Sequence, residues 1–191
     1  MQIFSKKRES SVINTNDIVY VRINNKDRFL TIGPDKVICN AKGKPVSEPR
    51  MLVLGTQLFY GNIRNNRLTD GTIEAKLEDY LLMFRVCPPN LEAVSPELPQ
   101  GVLCATPLVT RAQQNFANYR TQLVGMGCSP SEVVTTIEFT TYATKKEPKA
   151  GTVEFVALEP TESEEAYIKS VGKWLESEEG ARSLVHAVEE I

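Results

Sequence analysis

The sequence predicts an α+β protein: a mainly antiparallel sheet of five to seven strands, curled into a small barrel, covered by one central helix and by C-terminal helices. Three stretches carry that expectation. Residues 17–40, DIVYVRINNKDRFLTIGPDKVICN, fall into three short β-rich runs separated by Asn/Asp and Gly-Pro turns, the pattern of a meander. Residues 133–142, VVTTIEFTTY, are nearly all β-branched or aromatic, and residues 152–158, TVEFVAL, return after the basic loop 145–151. Between these, residues 110–124 place Ala112, Phe116, Tyr119 and Leu123 at i, i+4, i+7 and i+11, a single apolar stripe on a helix.

In chain order, residues 1–16 are polar, with Lys6, Lys7 and Arg8, and read as a flexible basic arm ahead of a β-rich domain over 17–160. Alternation in the first strand sets Asp17, Val19, Val21 and Ile23 on a core face and Ile18, Tyr20 and Arg22 on the other. A fourth run covers 51–63, where Gly55 marks a bulge or bend that would coil the strand. Residues 62–71 read as a polar loop carrying Arg64 and Arg67. The run 72–86 fits a strand, or two with a break near Glu78–Asp79, although Leu77, Tyr80, Leu81 and Phe84 could also line a helix. Four prolines within 88–101 make a linker, and 101–106 make a short buried strand.

Thr110 and Gln113 have capping-box spacing at the start of the helix, and Gly125 and Gly127 supply its stop. Residues 128–132 turn the chain into the β-branched run. Thr161 and Glu164 repeat the capping-box spacing and open an acidic C-terminal helical segment, 161–191. Its first helix runs to about Ser177 with Ile168, Val171, Trp174 and Leu175 on the apolar face. Gly180 breaks it, and a second short helix would bury Leu184, Val185 and Val188.

Of the 191 residues, 41% are hydrophobic, enough for a real core, and no apolar run approaches the roughly 20 residues that span a bilayer. The formal net charge of −2 hides a gradient. Residues 1–50 hold ten basic and five acidic side chains, 51–150 hold nine of each, and 151–191 hold three and ten. The acidic surplus fits a solvated helix as readily as a partner site. Cys39, Cys87, Cys104 and Cys128 are widely spaced, with no C-x-x-C pair and a single histidine, His186, so a zinc site is not expected. No apolar run follows the basic residues near Met1, so free, buried thiols in a reducing cytoplasm are expected, that of the host cell if the chain is viral.

Catalysis finds no support. The chain has no G-x-S-x-G elbow, H-E-x-x-H pair or Walker loop. Gly125-x-Gly127 follows a helix and precedes a strand, the reverse of a phosphate-cradling order. No enzyme activity and no cofactor are expected. Aromatic and basic residues interleave instead, as a single-strand binder requires: rings to stack bases and cations to meet phosphates. Tyr20, Phe29, Phe59 and Tyr60 are the proposed platforms, and Arg22, Lys26, Arg28, Arg64 and Arg67 the proposed phosphate contacts, with Tyr80, Phe84 and Arg85 a further cluster. Loops 62–71 and 145–151 would flank the groove.

Short strands with glycine bends, a basic front half and the acidic stretch ESEEAYIKSVGKWLESEE followed by VEEI together resemble phage-encoded single-stranded-DNA-binding proteins built on an OB barrel. The resemblance is one of layout. It implies a barrel that binds the strand and an acidic C-terminal region that recruits replication proteins while competing with DNA for the groove. That family's tail is typically disordered with an aromatic end, whereas this one has helical periodicity and closes on Ile191. The reading that results is a non-catalytic, single-stranded nucleic-acid-binding accessory protein of replication or recombination. The alternative is a non-enzymatic adaptor or virion component that presents Trp174 to another protein.

Overall fold

The structure, a computed structural model, describes residues 19–32, 36–40, 42–64, 67–70, 78–86, 103–146, 148–178 and 180. Within them the chain is α+β. Its strands are β1 (Val19–Asn24), β2 (Phe29–Ile32), β3 (Lys36–Val37), β4 (Met51–Arg64), β5 (Arg67–Asp70), β6 (Glu78–Val86), β7 (Leu103–Leu108), β8 (Val134–Tyr142) and β9 (Ala150–Leu158). Its helices are α1 (Thr110–Gly125) and α2 (Glu162–Leu175), with a 3-10 turn at Pro130–Glu132. The strands run in the order β3-β2-β1-β7-β6-β4-β8-β9, and β5 forms a hairpin on the far end of β4. Every ladder is antiparallel except β1 on β7. Among the described residues no ladder joins β3 to β9, so the path stays open.

The predicted meander forms. Val21 pairs with Ile32 and Ile23 with Leu30, which places these four on one face. Val21 and Leu30 are buried and Arg22 between them is exposed, as the alternation required. The chain then folds back on itself beyond β3. Ile38 N–H donates to the Leu30 carbonyl at 2.9 Å, Val46 N–H to Ile38 at 2.8 Å, and Leu30 N–H to Val46 at 3.0 Å.

β4 is the spine. Its ladder with β6 slips by one residue between Val53 and Gly55, the bulge that Gly55 announced. Ahead of the bulge both faces are sealed: Met51, Leu52 and Val53 are at most 3% exposed. Met51 and Val53 join the larger core under α1, while Leu52 joins Val134 and Val171 in a second core under α2. The same two-sided cover explains why Val134, Thr135, Thr136 and Ile137 of β8 are all buried, where alternation alone predicts one face in and one out.

The sheet also curls. Val21, Leu30 and Ile38 share a cluster with Ile137, Val153 and Phe155 from the other end of the strand order, and α1 closes it with Ala112, Phe116, Tyr119 and Leu123. Phe116 meets Phe155 edge-on at 5.0 Å between ring centroids. The buried Tyr119 hydroxyl finds Thr135 Oγ1 at 2.7 Å.

Several local expectations change. Thr110 does not cap α1: the N-cap position is Val109, without a side-chain bond, and Gln113 Nε2 reaches back to the Leu108 carbonyl at 2.6 Å instead. Residues 62–71 are not a free loop, because β4 continues to Arg64 and pairs there with Arg67 at the start of β5. Strand pairing is a backbone property and does not need apolar alternation. The run from 72 resolves as a strand from Glu78 onward, and residues 71–77 lie outside the described residues. The strand placed at 101–106 is β7, which extends through Pro107. β1 pairs with β7 only at Cys104 and Ala105, so at Pro107 that side of the strand is an edge, where the missing N–H leaves no gap. Of the thiols, Cys104 is buried but Cys39 and Cys128 are only half-buried. The arm 1–16, the linker 88–101 and the second C-terminal helix lie outside the described residues.

The two helix ends that the sequence marked most clearly do form. Gly127 takes φ +76°, Gly127 N–H bonds to Val124 O at 3.0 Å and Cys128 N–H to Leu123 O at 2.9 Å, a Schellman stop. At α2 the capping box closes, with Thr161 N–H donating to Glu164 Oε2 at 2.8 Å. Glu164 does more than cap. It is fully buried, and Arg50, just ahead of β4, grips it with both nitrogens, Nε to Oε1 at 2.6 Å and Nη2 to Oε2 at 2.8 Å. Nη2 also donates to the Glu159 carbonyl at 2.9 Å, tying the β9–α2 connection to the spine.

Burial alone would raise the Glu164 carboxyl pKa, but the hydrogen bonds from Arg50 and Thr161 outweigh it and hold the group below the usual carboxylate range. A carboxyl depressed on folding stabilises above its unfolded pKa and loses that contribution as pH falls through the folded value. Arg50→Ala leaves a buried, unpaired carboxylate and should cost about 2–4 kcal/mol at neutral pH. The deficit should shrink in acid, where Glu164 takes up a proton; denaturant melts of both proteins at neutral and acidic pH measure it.

Candidate nucleic-acid interface

The most basic described surface is assembled from two turns. The first joins β1 to β2 and is organised by Asn24. Its Oδ1 accepts the Asp27 N–H at 3.1 Å, its Nδ2 donates to Asp27 Oδ2 at 3.0 Å, and its own carbonyl accepts the Arg28 N–H at 2.8 Å. The turn closes only because Arg28 adopts φ 60°, the one described non-glycine residue in the left-handed region. Lys26 and Arg28 stand exposed on it.

The second turn joins β8 to β9 and presents Lys145, Lys146 and Lys149, all exposed. In the strand order β1 and β9 are five steps apart. The curl of the sheet nonetheless brings the two turns into contact at Asn25 and Gly151. A Cβ built on Gly151 would lie 2.9 Å from Asn25 Cβ and 3.0 Å from its carbonyl oxygen, so only glycine admits this approach. Asn25 Oδ1 is sealed from solvent there without a partner. Five cations are thereby gathered on two abutting turns. None makes an ion pair with a described residue, although the exposed Asp27 shares the first turn with Lys26 and Arg28. At the base of the β8–β9 turn, the Arg111 guanidinium lies over the Tyr142 ring at 5.5 Å.

Of the residues that the sequence nominated, Arg22, Lys26 and Arg28 are exposed and Phe29 is half-buried. The β1–β2 register sets Arg22 opposite Thr31 and Asn24 opposite Phe29, so Arg22 and Phe29 share one face, on which Thr31 is buried. Tyr20 pairs with Ala105 through its backbone, and its side chain lies outside the described residues. The side chains of Phe59, Tyr60, Arg64, Arg67, Tyr80, Phe84 and Arg85 do too. Their backbones belong to β4, β5 and β6, where Phe59 sits opposite Asp79 and Tyr60 opposite Glu78. Trp174 is half-buried and packs partly on the second core. The 145–151 loop, expected as a flank of the groove, meets the β1–β2 turn where Gly151 approaches Asn25. The signal for this was Gly151, a glycine at the first turn of a strand, which reports close backbone approach without naming the partner.

Among the described residues no cluster of three or more His, Cys, Asp or Glu side chains is placed to hold a metal, and no helix is long and apolar enough to cross a membrane. Arg28→Gly removes one cation and relieves a left-handed conformation worth about 1 kcal/mol, offset in part by the flexibility that glycine adds to the unfolded chain. The melt should therefore stay level or rise, and a drop of more than a few degrees would show that the Arg28 side chain holds the turn. No protein-family model, no curated protein and no solved structure matches the chain.

Proposed function

We propose that the protein binds single-stranded nucleic acid, DNA foremost, without strong sequence preference, as a non-catalytic accessory factor of replication or recombination. One observation carries the reading: the Asn25–Gly151 approach, which joins the turn that bears Lys26 and Arg28 to the loop that bears Lys145, Lys146 and Lys149. Two supports stand beside it. Arg22 and Phe29 share one face of β1–β2, an exposed cation and a half-buried ring of the kind that meet phosphate and base. The sheet's curl, with β1–β2 and β8–β9 around one core, supports a partial, OB-like barrel as the scaffold. In the same reading, of the phage-encoded type that the layout resembles, the protein works in the host cytoplasm. The exposed carboxylates Glu162 and Glu165 of α2 and Glu176 just after it face replication proteins, whereas Glu164 is withdrawn into the fold.

A labelled polythymidine strand, followed by fluorescence anisotropy, tests this. If about five cations meet phosphates, affinity should fall roughly a hundredfold between about 50 and 200 mM salt. Replacing Lys145 and Lys149 with alanine should weaken binding while leaving the melt unchanged. Gly151→Val removes no charge yet should also weaken it, because the side chain forces the two turns apart. Absence of binding, or binding indifferent to salt, would refute the reading and leave the adaptor alternative.

A further inference from the structure

A second site lies away from the basic turns. A cleft of about 310 Å³ lies among the bulged stretch of β4, the 3-10 turn Pro130–Glu132 and the Phe116–Arg120 turn of α1. The size falls at the small end of ligand pockets, about 300–1,000 Å³. Its apolar side is made by Val53, Leu54, Phe116 and Pro130. The polar side brings the Arg120 guanidinium together with the hydroxyl-bearing residues Thr56, Ser129 and Ser131. Arg120 is exposed and makes no hydrogen bond or ion pair with a described residue. Ser129 Oγ and Ser131 Oγ lie 3.0 Å apart and bond to each other, and Thr56 borders the same space from β4. The nearby Glu132 carboxylate is turned back onto the Ser129 N–H at 2.7 Å. Hydrogen bonds from the Ser129 hydroxyl and then from its N–H hold the Glu132 pKa below the usual range. Above Gly55 there is open space, with nothing within 4 Å of a Cβ placed there.

We propose that this cleft binds a small phosphomonoester with an apolar or aromatic body, the size of a nucleoside monophosphate. A guanidinium alone would satisfy a planar carboxylate. A guanidinium with hydroxyls arriving from a second element matches the three terminal oxygens of a phosphate monoester, which take donors from several directions. The body of the ligand then covers the half-buried Leu54 and Pro130. The cleft shares no residue with the two basic turns, so it stands independently of polynucleotide binding there.

Amide spectra of the full chain, titrated with adenosine monophosphate, adenosine, inorganic phosphate and acetate, test it. The monophosphate should shift Gly55, Thr56, Ser129 and Ser131 saturably and bind more tightly than adenosine, and phosphate should outcompete acetate. Arg120→Ala, at an exposed helix position, should keep the fold and weaken the monophosphate about tenfold or more. Gly55→Val should fill the cleft and abolish the shifts, while the Lys145/Lys149 double alanine variant leaves them unchanged. No saturable shift, shifts confined to the lysine turns, adenosine or acetate binding equally well, or indifference to Arg120→Ala would each overturn the proposal.

Discussion

The structure depends on burying the two ends of the sheet in one core. Val21 and Leu30 from the first meander pack with Ile137, Val153 and Phe155 from the last hairpin, and α1 seals them with Phe116 and Tyr119. A flat sheet in the same strand order would hold these groups far apart and leave each apolar face wet. Each such side chain contributes about 1.5–3 kcal/mol when taken out of water, so the curl is stabilised by the contacts that it makes possible. The bulge in β4 lies in the middle of that curl, where a strand with an extra residue twists more strongly.

The polar architecture is subordinate to that burial and follows from it. Once the sheet curls, Asn25 and Gly151 abut, and positive charge from two distant stretches of chain collects on one side. The cleft that Arg120 lines lies along the bulged stretch of β4. On the opposite face of β4, the Arg50–Glu164 pair fixes α2 over the second core. There Glu164 serves as helix cap and as counter-ion at once. A buried pair of this kind adds less to net stability than to the choice of one arrangement, because each partner is costly to bury alone.

Local signals carried through wherever one residue type satisfies one local demand. Gly127 ends α1 because the left-handed stop favours glycine, and Thr161 with Glu164 opens α2 because the box closes within four residues. The stripe Ala112, Phe116, Tyr119, Leu123 is buried as its spacing required. Thr110 failed as a cap although its spacing was right: Gln113 found the Leu108 carbonyl, an acceptor created by where β7 ends. For the candidate interface, Arg22, Lys26 and Arg28 were legible as exposed from alternation and turn chemistry. The Asn25–Gly151 contact that joins the 145–151 loop to the β1–β2 turn was not, since it is a property of sheet curvature and no local pattern encodes it.

The sequence by itself determined the α+β class, the three-run meander, the bulge at Gly55, and both helices with the faces they bury. Those features follow from backbone preference and from spacing within a few residues. Tertiary structure alone decided that β7 carries β1 in parallel, that β8 is buried on both faces, and that Arg50 and Glu164 meet across more than a hundred residues. It also decided which cations share a surface. Pairing partners and layer order arise from competition among many weakly specific apolar contacts, and only the assembled core settles which combination removes the most surface from water.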